Sequence, residues 1–169
     1  GGILNMIKHA YLIIAHNNFW QLTILLRLLD DIRNDIFLFI DKKNIEKADQ
    51  NNIRASVSRS HMSIFSPFEI NWGGYSQCRA ELFLMKKAKE KDNYRYYHLL
   101  SGVDLPLHNQ NYIHDFFQQH DGYEFLAFVG KEISEKVKPE ERMKYYYLFS
   151  DINITNKLVF IPAIEKKIK

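Results

Sequence analysis

Two short runs near the start of the chain are apolar or aromatic from end to end, and they limit what it can fold into. They are Ala10-Tyr11-Leu12-Ile13-Ile14-Ala15 and Ile36-Phe37-Leu38-Phe39-Ile40. Each is too short for a stable helix and suits a buried strand. Between them Phe19, Leu22, Leu26 and Leu29 recur at helical spacing with Leu25 on the same face, after Asn17-Asn18, a residue type that caps helices. Asp30, Asp31 and Arg33 close that helix, and Asp35 leads into the second run. Strand, helix and strand in so short a span make a βαβ unit with a parallel pair and a right-handed crossover.

A third run, Tyr94-Arg95-Tyr96-Tyr97-His98-Leu99-Leu100, stops abruptly at Ser101-Gly102-Val103-Asp104-Leu105-Pro106. That pattern predicts a strand ending in a loop. Between the second and third runs, Asn44 to Asn52 is polar and reads as a short helix or loop. Ile53 to Val57 and Ser63 to Ser66 read as short strands. Phe68 to Ser76 holds the turn Trp72-Gly73-Gly74. Ser76 is placed to cap a helix with Cys78, Leu82 and Met85 on one side and Leu84 and Ala88 alongside, ending near Lys91-Asp92-Asn93. Beyond Pro106, Ile113, Phe116 and Phe117 predict a short amphipathic helix, and Tyr123 to Val129 a strand. The aromatic stretch Arg142 to Phe149 reads as a strand or a bend. Alternating strands and helices over 169 residues, with no repeat or linker, predict one α/β domain with a mostly parallel central sheet.

Composition excludes several functions. A net charge of +3, with basic residues mainly in helix-like or terminal stretches such as Lys86-Lys87 and Lys166-Lys167, is too weak for a nucleic-acid footprint, and the basic tail gives only a weak pull toward an anionic membrane surface. Cys78 is the sole cysteine, which fits a reducing compartment and leaves no zinc cluster. No run is long enough to span a membrane. Gly1 to Asn5 read as a foreign leader ahead of Met6, with no signal peptide. A phosphate-cradling glycine loop is missing after the first strand, the seven histidines show no zinc-protease spacing, and Ser101 lacks the Gly-x-Ser-x-Gly frame of a hydrolase nucleophile.

What remains is topological. His16, Asp41 and Asp104 each follow an apolar run, and in a parallel sheet all three project at one edge, where nucleotides bind. For each the plain alternative is a turn or cap role, and for His16 that alternative is the favoured one.

Four segments then occur in a familiar order: Ala10 to His16; Phe37-Leu38-Phe39-Ile40-Asp41-Lys42-Lys43; Trp72-Gly73-Gly74-Tyr75-Ser76 with Ala80; and Leu99 to Leu107. Together they resemble the core-2/I-branching β-1,6-N-acetylglucosaminyltransferases, whose relatives include protein O-xylosyltransferases. The resemblance covers roughly residues 9 to 130 and is carried by motifs in context. It implies a GT-A type nucleotide-sugar-binding fold in three layers. It also implies inverting transfer of a sugar, N-acetylglucosamine first and xylose second, from a UDP donor to a hydroxyl of a glycan, lipid-linked or protein acceptor. By the same resemblance Asp41 holds the uridine, and Trp72, Gly73 and Gly74 wall the donor sugar. His16, Ser101, Gly102 and Asp104 line the same edge. Most GT-A enzymes carry an Asp-x-Asp metal motif where this chain has Gly102-Val103-Asp104, so no divalent metal and no cofactor is expected.

An inverting transferase also needs a base for the acceptor hydroxyl and cations for the leaving diphosphate. No motif selects Glu124 or Glu132 for the first, or Arg142 and Lys144 for the second. The expectation is that residues 6 to 169 are the donor-binding part of a longer enzyme, inactive alone, with its base beyond Lys169. Relatives in animals carry a membrane anchor and several cysteines. The expectation here is instead a bacterial-type cytoplasmic protein, in peripheral contact with the membrane and serving surface polysaccharide assembly. Two competing readings are a non-catalytic nucleotide-sugar-binding module and a generic flavodoxin-like ligand-binding domain.

Overall fold

The first two apolar runs are strands β1 (His9–Ala15) and β2 (Asn34–Ile40), paired in parallel with Ala15 opposite Ile40. The structure, a computed structural model, describes residues 7–71 and 73–125. Helix α1 (Phe19–Leu29) joins the two strands, and Leu22, Leu25, Leu26 and Leu29 are wholly buried beneath it. Each such leucine contributes about 1.5–3 kcal/mol relative to exposure. Asn18 stands at the cap position, but its side chain does not cap. Its backbone is left-handed (φ 49°), and its Nδ2 donates to Gln21 Oε1 at 2.8 Å.

A 3-10 turn (Lys42–Lys47) and helix α2 (Gln50–Ala55) follow. The strand expected over Ile53 to Val57 is therefore corrected to a helix and the turn after it. The Asp49 carboxylate accepts from Asn52 N and starts α2, and Ile53 alone seals it onto the core. β-branched residues raise strand propensity, but one buried contact and a good cap override it here. Strand β3 (His61–Phe65) lies where Ser63 to Ser66 pointed, two residues earlier. Then come α3 (Tyr75–Lys91), β4 (Tyr96–Ser101) and α4 (Gln110–Gln119). Tyr123 to Phe125, the described start of the expected last strand, are not in a strand. The rest of that segment and the run Arg142 to Phe149 lie outside the described residues.

Among the described residues the sheet has four strands, all parallel, in the order β3-β2-β1-β4. The α/β fold expected from the sequence is the one observed, and it is consistent with a GT-A type enzyme. Strand alternation divides the core in two. Tyr11, Ile13, Ala15, Ile36, Leu38 and Ile40 meet α1 and α2, while Ala10, Leu12, Phe37 and Phe39 meet α3 on the opposite face. That division follows from one-handed crossovers. Moving from β1 toward β3 places α1 and α2 on one face, and the return to β4 places α3 on the other.

The helix α3 packs by a different stripe than expected. Leu82 and Met85 are 56% and 41% exposed and Cys78 is exposed, whereas Ala80, Leu84 and Ala88 are buried. Ala80 and Ala88, on one stripe with Leu84 between them, let the helix lie close on Phe37 and Phe39. In α4 the anticipated apolar positions Ile113, Phe116 and Phe117 are only half-buried, while Gln110 and His114 are buried. Asn34 explains this. Its Nδ2 donates to Leu29 O and to Gln110 Oε1, and its Oδ1 lies 2.8 Å from His114 Nε2. The Leu29 carbonyl fixes the amide orientation, so the His114 Nε2–H is the donor.

Candidate functional site

Because every strand is parallel, the carboxyl ends of all four lie along one edge. The chain leaves β1 toward β2 and β3, then returns to pair β4 on β1's other side. The order therefore reverses between β1 and β4, where a crevice opens in sheets of this kind. Gly102 N donates to Ile14 O at 2.9 Å on one side of β1's end, and Asp41 N donates to Ala15 O at 2.9 Å on the other. His16, the next residue, sits between these two attachments. It is exposed and makes no hydrogen bond to the described residues. Three of the residues singled out from the sequence thus meet at one edge.

Asp41 is 4% exposed. Its Oδ1 accepts two backbone N–H groups, from Lys43 at 3.1 Å and from Ile70 at 3.2 Å. Its Oδ2 accepts from none of the described residues. A carboxylate so placed has one oxygen spent on the fold and one left for a donor that the fold does not supply.

The glycine turn is tied to the same place. Lys43 Nζ donates to Ile70 O at 2.6 Å and to Asn71 Oδ1 at 2.8 Å. Asn71 N donates to Ser76 Oγ at 2.8 Å, and Asn71 O accepts from Gly74 N at 3.0 Å. Gly74, not Ser76, caps α3. Ser76 instead lies in the first helical turn and braces the loop ahead of it. Gly73 has φ +72° with open space where a side chain would stand, so it is glycine for its backbone conformation. Trp72 lies outside the described residues.

At the end of β4 the geometry is local. Ser101 N donates to Asp104 Oδ2 at 2.7 Å, Asp104 N donates to Ser101 O at 3.1 Å, and Val103 N donates to Ser101 Oγ at 3.3 Å. The turn role weighed for Asp104 is present, with Oδ1 and the Ser101 hydroxyl proton outside it. Gly102 is pressed onto β1, and a Cβ there would stand 2.8 Å from Ala15 Cβ and 3.2 Å from Ala15 Cα. The Gln21 amide on α1 donates to Val103 O and ties this turn to the first helix.

The perturbed ionisable groups lie at the other edge. His9, His98 and His114 gather where β1, β4 and α4 meet, with His98 Nε2 3.0 Å from His9 Nδ1 and the His9 and His114 rings 4.1 Å apart. Burial first, then the neighbouring His114 and His98, holds His9 down to about 3. Burial likewise holds His98 and His114 near 4. A cavity of about 680 Å3, lined by Arg27, Asp31, Arg33, Arg59, His108 and Asn109 among others, also lies beside the C-terminal end of α1, away from His16 and Asp41. Among the described residues no group of three or more His, Cys, Asp or Glu is arranged to hold a metal ion, and no helix is long and apolar enough to cross a membrane.

Sequence reasoning named Asp41 and the glycine turn without seeing their connection. Lys43 and Asn71 carry it, and the only trace in the sequence is a lysine two residues past the acid and an asparagine just ahead of the turn. The chain matches the family model described as Core-2/I-Branching enzyme over residues 9–163. A search of curated proteins finds no match.

Proposed function

The chain belongs to the Core-2/I-branching enzymes, a family of glycosyltransferases, and on that premise we propose that it moves a sugar from a UDP donor with inversion. N-acetylglucosamine is the first candidate sugar and xylose the second. The acceptor is a hydroxyl of a glycan, a lipid-linked glycan or a protein. In the reaction the acceptor oxygen attacks the anomeric carbon as the bond to the diphosphate breaks, and a general base takes the acceptor's proton. Asp41 and Asp104 are assigned to donor binding, and neither to that base.

The observation that carries the reading is Asp41. A buried carboxylate at the strand-end edge, with Oδ1 filled and Oδ2 accepting nothing from the fold, suits the imide N–H of uracil. Gly73 and Gly74 let backbone approach the donor from the adjoining loop, and with Trp72 they are the proposed wall beside the donor sugar. His16, Ser101 and Asp104 complete the lining with groups able to bond sugar or ribose hydroxyls.

Transfer without a divalent metal is part of the proposal, supported by the packing at Gly102. An acid two residues ahead of Asp104 would place its Cβ against Ala15, so an Asp-x-Asp pair does not fit this strand end. With no metal, side-chain cations must take the charge of the leaving diphosphate. Cytoplasmic location, peripheral contact with a membrane and a role in surface polysaccharide assembly are proposed with the same function.

Titration calorimetry with UDP, UDP-N-acetylglucosamine and UDP-xylose, each with manganese and with a chelator, tests this. The proposal predicts binding of all three, tightest for UDP-N-acetylglucosamine, with affinities unchanged by the metal. Strict dependence on manganese would overturn the metal-free part, and equal indifference to all three would remove the donor.

A further inference from the structure

Lys43, two residues past Asp41, invites assignment as a phosphate contact, since a metal-free donor site needs cations near the diphosphate. Its geometry says otherwise. Lys43 Nζ is engaged by the Ile70 carbonyl at 2.6 Å and Asn71 Oδ1 at 2.8 Å, both on the segment leading into the glycine turn. The Asp41 carboxylate reaches the same segment from the other side, accepting Ile70 N, and Lys42 N donates to Phe68 O at 3.4 Å. Asn71 in turn passes the connection on to Gly74 and Ser76 at the start of α3. The end of β2 therefore grips residues 68 to 71 at three points, and α3 grips them again from beyond the turn.

Two features make the grip matter. Gly73 sits at φ +72° with nothing within 4 Å of the place where a Cβ would stand, so no side chain of its own packs the turn there, and its N–H donates to Gln77 Oε1 at 3.3 Å. Ile70 and Asn71 end the segment immediately before Trp72. A loop of this kind keeps one shape only if its flanks are held.

We infer that Lys43 is a positioning residue that holds Ile70 and Asn71, the lead into the glycine turn, against the end of β2 and so sets the wall of the donor site, and that it is not a contact to the diphosphate. What the loop serves rests on the donor-site reading above; that Lys43 holds it does not. Asp41 and Lys43 then form one device, with the acid fixing a backbone N–H of the loop and the lysine fixing the carbonyl of the same residue, Ile70.

The test uses Trp20→Phe protein, so that Trp72 is the single tryptophan and its emission reports the loop. Into it are placed Lys43→Met, which keeps the length of the side chain without its charge, and Lys43→Arg, which can still donate to both oxygens. Lys43 is exposed, so all variants are expected to keep the fold, as melting curves check. Without any ligand, Lys43→Met shifts the Trp72 emission and raises its quenching by acrylamide, and Lys43→Arg reverses most of the change. In calorimetry Lys43→Met weakens uridine and UDP by the same factor, about tenfold. Unchanged Trp72 emission in Lys43→Met overturns the inference. So does a loss confined to UDP with uridine unaffected, which would make Lys43 a phosphate contact. If the parent protein binds neither ligand, the donor reading fails, and the tryptophan emission still decides the role of Lys43.

Discussion

At residue 102 the chain has a glycine because β1 leaves no room for anything else, whereas at 73 it has one because the backbone turns left-handed in open space. The two substitutions to alanine therefore test different things. At Gly102 the added methyl meets a backbone Cα and a Cβ, neither of which can swing aside, and overpacking of that kind costs about 1–3 kcal/mol. Gly102→Ala should lower stability by this amount in urea denaturation, and an unchanged midpoint would show that the end of β1 yields freely. From the sequence, Gly102 stood out only as the place where a second acid was missing. The reason needs the register, because Ile14 lies opposite Ser101 and nothing in either segment announces it. Asp41 was legible as a strand-end acid. Its division of labour, one oxygen for the fold and one free, was not, since Ile70 is 29 residues away.

Among elements, β1, β2 and α1 were the most legible, because unbroken short apolar runs joined by a strictly periodic segment leave one interpretation. The helix α3 shows where periodicity misleads. Cys78, Leu82 and Met85 are the stripe that the spacing suggests, yet the sheet is covered by Ala80, Leu84 and Ala88, whose two alanines allow close approach on either side of Leu84. In α4 the buried positions Gln110 and His114 are polar, and they are satisfied by Asn34 and Tyr11 on strands that the sequence places far away. No pattern of apolar spacing reports such a network.

The docking of α4 also makes stability depend on pH. His114 from α4 meets His9 and His98 from the sheet, with Arg33 and Asp31 and Asp115 as the charged groups acting on it. Burial, foremost, keeps all three histidines below their ordinary value of 6.5, near 3 for His9 and near 4 for the others. Between pH 6.5 and about 4 the unfolded chain therefore binds more protons than the folded one, and stability falls as the pH falls through that window. Urea midpoints measured at pH 7.5, 6, 5 and 4.5 should decline steadily, and His9→Phe should flatten the decline by removing the most shifted member. A midpoint independent of pH across this range would contradict the account of α4.

On the scale of the molecule, the parallel order β3-β2-β1-β4 sorts chemistry by edge. The carboxyl edge carries His16, Asp41, the clamped glycine turn and the Ser101–Asp104 turn. The opposite edge carries the histidine cluster and the Arg-lined cavity, neither of which the donor reading uses. The alternation of strands and helices was enough to predict a parallel α/β sheet whose strand ends share one edge. The loop-to-strand ties that shape that edge were not predictable, because they join distant segments by a few specific hydrogen bonds rather than by pattern. Membership of the Core-2/I-branching family supplies glycosyl transfer as the chemistry, and the central claim is that Asp41 receives the donor's base.

The most direct measurement compares UDP binding by the unaltered protein and by Asp41→Asn. The amide keeps an oxygen for the N–H groups of Lys43 and Ile70 and replaces only the free oxygen with a donor, so the fold should melt within a few degrees of the original. Losing a charge-assisted hydrogen bond and facing the uracil N–H with another N–H should weaken UDP about 10- to 100-fold, equivalent to roughly 1.5–3 kcal/mol. Equal UDP affinity in a well-folded Asp41→Asn protein would contradict the account.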